Sequence, residues 1–118
     1  MKKFNVYNSL TNRIEPLNPL KENEISMYVC GPTVYGDAHI GNCRPVIVFD
    51  VLYRLLTYIG YKVTYMSNIT DVDDKIINKA IEEGVSESVI ANRYLDRYLE
   101  LRKDLNAINP TYMPRVTD

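Results

Sequence analysis

The chain has 118 residues, enough for one domain that buries roughly two-thirds of the surface of its unfolded form. Hydrophobic residues make up 46% and charged residues 25%, and the formal net charge of −1 argues against a nucleic-acid surface built from bulk positive charge. No apolar window of about eighteen residues occurs and residues 1–5 precede no apolar segment, so a cytoplasmic protein with no membrane partner is expected. The two cysteines, Cys30 and Cys43, are too few for a disulfide framework and are expected to be free thiols.

The first third of the chain predicts an irregular lead-in, a strand and a helix. Residues 5–20 carry prolines between polar residues, with one short strand near Val6. Residues 25–30 predict a strand that ends at Gly31 and Pro32. Residues 42–59 predict a helix with Pro45 in its first turn and Gly60 as its stop. Its apolar stripe is expected at Val48, Leu52, Leu55 and Ile59.

The remainder predicts a second strand and two helices. Residues 61–68 are rich in β-branched and aromatic side chains, which favour a strand. A helix capped by Thr70 or Asp71 is expected to end at Gly84, with a buried side made of Ile76, Ile77, Ala80 and Ile81. A longer helix, capped by Ser86, reaches about residue 107 before Asn109-Pro110, and its buried side is Ile90, Tyr94, Tyr98, Leu101 and Leu105.

This order of elements indicates the fold class. Strand, helix, strand, helix, helix is typical of a parallel α/β unit with right-handed crossover connections. The chain is therefore predicted to form one half of a doubly wound parallel sheet with flanking helices. A half sheet leaves one edge strand unpaired, which is a liability for self-association.

Residues 27–42 join the first strand to the first helix and hold the best candidates for chemistry. A strand, a turn of small residues and a helix N-terminus form a cradle for phosphate. Cys30 leaves the strand end and His39 precedes the helix, so both are expected to face one crevice. His39, the only histidine, either donates to phosphate oxygens or serves only as a capping or loop residue. Gly41 permits close backbone approach, and Asn42 can donate through its amide.

Other polar residues leave alternatives open. Cys30 is either a small buried hydrophobe or a metal ligand, whereas Cys43 lies inside the helix and is expected to pack. A cluster of carboxylates either binds a divalent cation or caps a helix, and the helix dipole favours capping; it consists of Asp71, Asp73 and Asp74. Two helical lysines are expected to pair with neighbouring acids, namely Lys75 and Lys79.

Three stretches carry a family resemblance. His39-Ile40-Gly41-Asn42 resembles the HIGH signature of class I aminoacyl-tRNA synthetases. Together with the sequence CGPTVY at residues 30–35 and NITDVDDKI at residues 68–76, it resembles the cysteinyl-tRNA synthetase family in particular, and the resemblance runs along most of the chain. Asn42 stands where the general signature has a second histidine, which affects only that imidazole's share of the phosphate contacts.

The resemblance implies a place for this chain within a longer protein. Residues 1–118 would be the N-terminal part of a Rossmann-like (HUP-type) nucleotide-binding catalytic domain. The inserted domain, the Lys-Met-Ser-Lys-Ser-like signature loop and the tRNA-binding region would lie in later sequence. The full-length protein would activate L-cysteine with ATP and Mg to cysteinyl adenylate and transfer it to tRNA(Cys), and this segment alone would be inactive.

The resemblance also implies roles for individual residues. His39 and Asn42 would stabilise the transition state at the α-phosphate. ATP would be bound by Thr33, His39, Gly41 and Asn42, and cysteine by Cys30, Gly31 and Thr70. Cys30 would be one zinc ligand with the others outside this chain, so zinc is expected to be absent or weakly held here. Zinc prefers a thiolate to a hydroxyl, which would separate cysteine from serine.

Two other functions stay open at this stage. A ligase that joins cysteine to an amino sugar would share Cys30, His39 and Thr70 and would differ only in its acceptor. A non-catalytic module that binds a nucleotide or a protein partner would keep the fold, and it is motivated by the missing signature loop and the missing zinc ligands.

Overall fold

The computed structural model describes residues 3–118 and begins with a β-hairpin. Strands β1 (Asn5–Asn8) and β2 (Arg13–Pro16) pair antiparallel, with Val6 opposite Glu15. Asn12 adopts a left-handed φ of 54°, a conformation that asparagine tolerates better than most residues. The expected strand near Val6 is confirmed as β1, whereas β2 was missed, because short strands with one polar face carry little periodicity.

The main sheet confirms the α/β class and the parallel crossover. Strands β3 (Glu24–Val29) and β4 (Lys62–Ser67) are parallel, with Ile25 opposite Val63, and helix α1 (Ile40–Tyr58) connects them. A third extended segment lies beyond β4, where Tyr112 bridges to Met66 and Arg115 bridges to Ile69. No strand of the described residues lies along the other side of β3, so that edge of the sheet is open within residues 3–118.

Helix α1 buries a different face from the predicted one. Val48 is 50% exposed and Leu55 38% exposed, whereas the buried residues of the helix are Val46, Asp50 and Leu56. Apolar side chains occur almost all round this helix, so their spacing did not identify the inner face. The prediction of the stripe was wrong because Asp50, a polar residue, is drawn inward by specific hydrogen bonds.

The next helix is capped by an aspartate, although not by the residue expected. Helix α2 (Asp74–Glu83) has Asp73 as its N-cap, whose Oδ1 accepts from the backbone N–H of Lys75 at 2.9 Å. Capping by the acidic cluster is therefore confirmed, two or three positions later than predicted. Gly84 ends the helix with a left-handed φ of 67°, as expected. Ile81 was predicted to be buried and is 72% exposed.

Helix α3 supplies half of the residues in the main hydrophobic cluster. It spans Glu87–Asp104 and buries Ile90, Tyr94 and Tyr98 of the predicted stripe, whereas Leu101 and Leu105 are half-buried. Ser86 is the N-cap by position, but its side chain makes no capping bond. The helix ends before residue 107 because the chain turns at Asn106, which has a φ of 54°. None of the helices within the described residues is both long and apolar enough to cross a membrane.

A buried polar network ties α1 to the end of α3. Arg102 is 1% exposed, and its Nη2 donates to the carbonyl of Ile108 at 2.7 Å. The N–H of Ile108 donates to Asp50 Oδ1 at 2.7 Å, so the N–H and the carbonyl of one residue bind a carboxylate of α1 and a guanidinium of α3. Burial raises the pKa of Tyr65 despite the opposing charge of Arg102, so that phenol stays protonated and does not neutralise the guanidinium.

We expect Asp50→Asn to lower the free energy of unfolding by about 2 kcal/mol, because it removes the charge that pairs with Arg54 and accepts from the Ile108 N–H. Asp96→Asn, on the exposed side of α3, is the matched control and should change stability by less than about 0.5 kcal/mol. Urea denaturation followed by circular dichroism measures both. Equal effects of the two substitutions would contradict the role given to Asp50.

Candidate functional site

The site begins where the segment after β3 touches the segment after β4. The N–H of Gly31 donates to Asn68 Oδ1 at 2.8 Å. A Cβ placed on Gly31 would lie 1.7 Å from the carbonyl oxygen of Asn68, far inside van der Waals contact. Glycine at position 31 is therefore required by close backbone approach.

The same two segments are joined again two residues later. Thr70 N donates to the Pro32 carbonyl at 3.0 Å, and Val34 N donates to the Thr70 carbonyl at 3.1 Å. Thr33 and Thr70 are consequently paired as neighbours in a parallel bridge. Two residues predicted to bind different substrates, ATP and cysteine, thus lie side by side.

Cys30 follows β3 directly and its side chain is exposed. The alternative of a buried small hydrophobe is wrong, since the thiol is exposed. Both cysteines are free thiols, as expected, and Cys43 is half-buried with its Sγ 3.6 Å from the His39 carbonyl. Within residues 3–118 no three His, Cys, Asp or Glu side chains are grouped closely enough to hold a metal ion. Cys30 is thus a chemically suitable zinc ligand, and the described residues supply no complete zinc site.

His39 is the N-cap of α1, which begins two residues earlier than predicted. Its Nδ1 accepts from the N–H of Gly41 at 3.0 Å, and its own N–H donates to Asn42 Oδ1 at 3.0 Å, which completes a capping box. The bond at Nδ1 places the proton of the neutral ring on Nε2. The histidine and the asparagine therefore cap the helix through one atom each and keep an N–H donor for a ligand.

Gly41 has a second role that the sequence did not reveal. A Cβ there would lie 2.7 Å from Cε1 and 2.9 Å from Nδ1 of His39, because the imidazole packs over this residue. The glycine expected to admit a nucleotide thus also admits the capping ring.

Two adjoining cavities open at the carboxyl end of β3. The small cavity, of about 100 Å³, is lined by Cys30 and the first turn of α1. The large cavity, of about 310 Å³, is lined by Thr33, His39 and the residues between them. Gly31 and Asn42 line both, whereas the thiol lines only the small cavity and the imidazole only the large one, so the two face adjoining cavities and not the single crevice expected. Thr70 lines neither cavity and reaches the site only through its pairing with Thr33.

Several residues around the cavities were not identified as site residues from the sequence. The large cavity is also lined by Asp37, Lys75, Tyr94 and Tyr98. The two tyrosines have the helical spacing of core residues, and both are buried as that spacing predicts. They also form part of the wall of the large cavity. The position of Asp37, two residues before His39, was the only signal available for it.

Comparisons with known proteins agree with this geometry. Residues 16–118 match the family described as the catalytic domain of class I (C) tRNA synthetases. The chain is 54% identical over 113 residues to a cysteine–tRNA ligase of Lachnoclostridium phytofermentans, covering 96% of this chain and 24% of that protein. It is 49% identical to a cysteine–tRNA ligase of Wolbachia pipientis with the same coverage. One from Fusobacterium nucleatum is 57% identical over 104 residues, covering 88% and 21%. The chain thus spans about a quarter of the length of these relatives.

We expect Gly31→Ala to destabilise the protein by about 3 kcal/mol, because the new methyl group meets backbone and the two segments must separate. Gly36→Ala is the matched control, since a Cβ at Gly36 meets nothing within 4 Å. Thermal unfolding followed by circular dichroism measures both variants. A Gly31→Ala variant as stable as the Gly36→Ala variant would show that this contact is unimportant.

Proposed function

The chain belongs to the family of class I (C) tRNA synthetase catalytic domains, and we propose that it forms part of a cysteine–tRNA ligase. The reaction proposed for the whole protein is ATP-dependent activation of L-cysteine to cysteinyl adenylate, followed by transfer to tRNA(Cys) in the cytoplasm. The observation that carries the proposal is the pair of adjoining cavities at the start of α1. Cys30 and Asn42 line the small one, and His39 and Asn42 line the large one. The names of the three relatives, all cysteine–tRNA ligases, support tRNA, and not an amino sugar, as the acceptor.

Residues 1–118 would form one part of the nucleotide-binding domain of this longer protein. The inserted domain, the signature loop and the tRNA-binding region would come from the three quarters of the relatives' length that this chain does not span. The open edge of β3 is the place where further strands of that protein would pair.

ATP would bind with its α-phosphate at the N-terminus of α1. Nε2–H of His39 and the side-chain NH₂ of Asn42 are the donors that capping leaves to a ligand. Negative charge grows on the phosphate oxygens as pyrophosphate leaves, and donors held by the helix cap stabilise it without reorganising. The positive end of the helix dipole acts in the same direction. Mg²⁺ would accompany ATP as part of the substrate.

The chemistry in this proposal has two displacement steps. A carboxylate oxygen of cysteine forms a bond to the α-phosphorus while the bond to the bridging oxygen breaks, releasing pyrophosphate. The terminal ribose hydroxyl of the tRNA then bonds to the carbonyl carbon, AMP leaves, and the hydroxyl proton is lost to solvent. The residues proposed to position cysteine are Cys30, Gly31 and Thr70, and Thr33 would contact ATP next to them.

Cys30 would supply one zinc ligand, and the remaining ligands would come from residues outside this chain. Bound zinc supplies a centre that prefers a thiolate to a hydroxyl. The exposure of the Cys30 thiol at the rim of the small cavity supports this assignment, because a ligand shared with another segment must be reachable from outside the described fold.

The first test is cysteine-dependent exchange of pyrophosphate into ATP by the protein encoded by the uninterrupted reading frame, with the 118-residue chain beside it. We expect exchange with cysteine and not with serine. In that protein, His39→Asn should keep the helix cap and change stability by less than about 0.5 kcal/mol. It should slow exchange about 10²- to 10³-fold, because the shorter amide places no donor at the position that Nε2–H of the imidazole occupies.

His39→Ala separates the two roles further, since it loses both the cap and the donor and should also cost about 1 kcal/mol of stability. Absence of exchange by the wild-type protein would overturn the proposed function. Full activity of His39→Asn would overturn the role of the imidazole alone.

For the metal, we expect Cys30→Ser in the same protein to lower bound zinc and to abolish the preference for cysteine over serine. Cys43→Ser is the matched control, because this second thiol is half-buried and lies outside both cavities. Zinc content by atomic emission and exchange with each amino acid are the measurements. Unchanged zinc in Cys30→Ser would exclude the thiol as a ligand.

A further inference from the structure

Residues 35–38, defined here as the site loop, connect the core to the helix cap. The loop follows Val34, which is 2% exposed, and runs directly into His39. The loop and His39 line the large cavity. Any displacement of this loop therefore moves the imidazole relative to that cavity.

An ion pair holds the loop to α3. Nη1 of Arg97 lies 2.8 Å from each carboxylate oxygen of Asp37, and the two residues are 60 positions apart in sequence. The guanidinium also lies 5.3 Å from the ring centroid of Tyr94, a residue only 8% exposed. The guanidinium thus packs against the buried Tyr94 ring and binds Asp37 of the loop at the same time.

A second cation holds the loop to α2. The ammonium of Lys75 lies 4.9 Å from the ring centroid of Tyr35. Lys75 was expected to pair with a neighbouring acid, and its backbone N–H is fixed by the Asp73 cap. The two ends of the site loop are consequently tethered to two different helices, each through one cationic side chain.

We propose that Arg97 and Lys75 are positioning residues that hold the site loop and thereby set the placement of His39. Both tethers are partly open to water, with side-chain exposures of 52% for Arg97 and 66% for Asp37. Each therefore contributes modestly, and salt weakens the ion pair. That the placement of His39 matters for binding phosphate rests on the proposed function, whereas the tethering of the loop does not.

The loop is tested in the 118-residue chain. His39 is the only histidine, so its ring signals in NMR spectra are assigned without ambiguity. Arg97→Gln should shift these signals and speed amide hydrogen exchange at residues 35–41 about two- to fivefold, and Arg97→Gln with Lys75→Gln should do more. In wild type, raising the salt concentration should move the signals in the same direction.

The matched control is Arg93→Gln, which removes the same charge from the same helix. Arg93 pairs with Glu83 at 2.6 Å and, like Arg97, lies over the Tyr94 ring, so the two variants differ in the ion pair with the site loop. This variant should leave the His39 signals and the exchange rates at residues 35–41 unchanged. Equal responses to Arg97→Gln and Arg93→Gln would overturn the proposal.

Kinetics separate this inference from the proposed function. In the longer protein, Arg97→Gln should lower kcat for pyrophosphate exchange about two- to fivefold with little change in KM for cysteine, and Asp37→Lys with Arg97→Glu should restore part of the loss. A wild-type protein with no exchange but with the NMR response would refute the proposed function and leave the tether standing. Normal kcat in Arg97→Gln would refute the positioning of His39.

Discussion

The close contact between Gly31 and Asn68 is the constraint on which the site depends. Strand pairing alone brings β3 and β4 to the same edge, but the side chains that follow them would diverge without a second contact. The absence of a Cβ at Gly31 allows the two backbones to meet, and the bridge at Thr33 and Thr70 continues the contact. Cys30, the residue before the contact, is exposed, and residues 35–38 lead from the bridge to the start of α1.

At the start of α1, the same two side chains cap the helix and carry the donors proposed to bind a ligand. His39 Nδ1 and Asn42 Oδ1 satisfy backbone N–H groups that would otherwise lack partners at the helix end. Because each of these side chains has a second polar atom, capping orients the remaining donors and does not consume them. The absence of a Cβ at Gly41 lets the imidazole pack over the helix start in one well-defined position. A donor held in one position can stabilise developing charge without reorganising.

The hydrogen bonds of Asp50 decide which face of α1 is buried. Apolar side chains of α1 lie on most sides of the helix, yet Asp50 is buried because the Ile108 N–H and Arg54 both bind its carboxylate. Arg102 on α3 donates to the carbonyl of the same residue, Ile108. The segment after α3 is therefore fixed between two helices, which places the third extended segment alongside β4.

The sequence by itself determined the α/β class, the stops at Pro32 and Gly84, the buried stripe of α3 and the residues of the strand–turn–helix segment. These follow from capping, turn chemistry and periodicity, which act over a few residues. Only the tertiary structure decided the inner face of α1, the exposure of Cys30, the pairing of Thr33 with Thr70 and the Asp37–Arg97 tether. Those contacts join residues as much as 60 positions apart, and their free energies depend on how the elements pack, which local periodicity does not record.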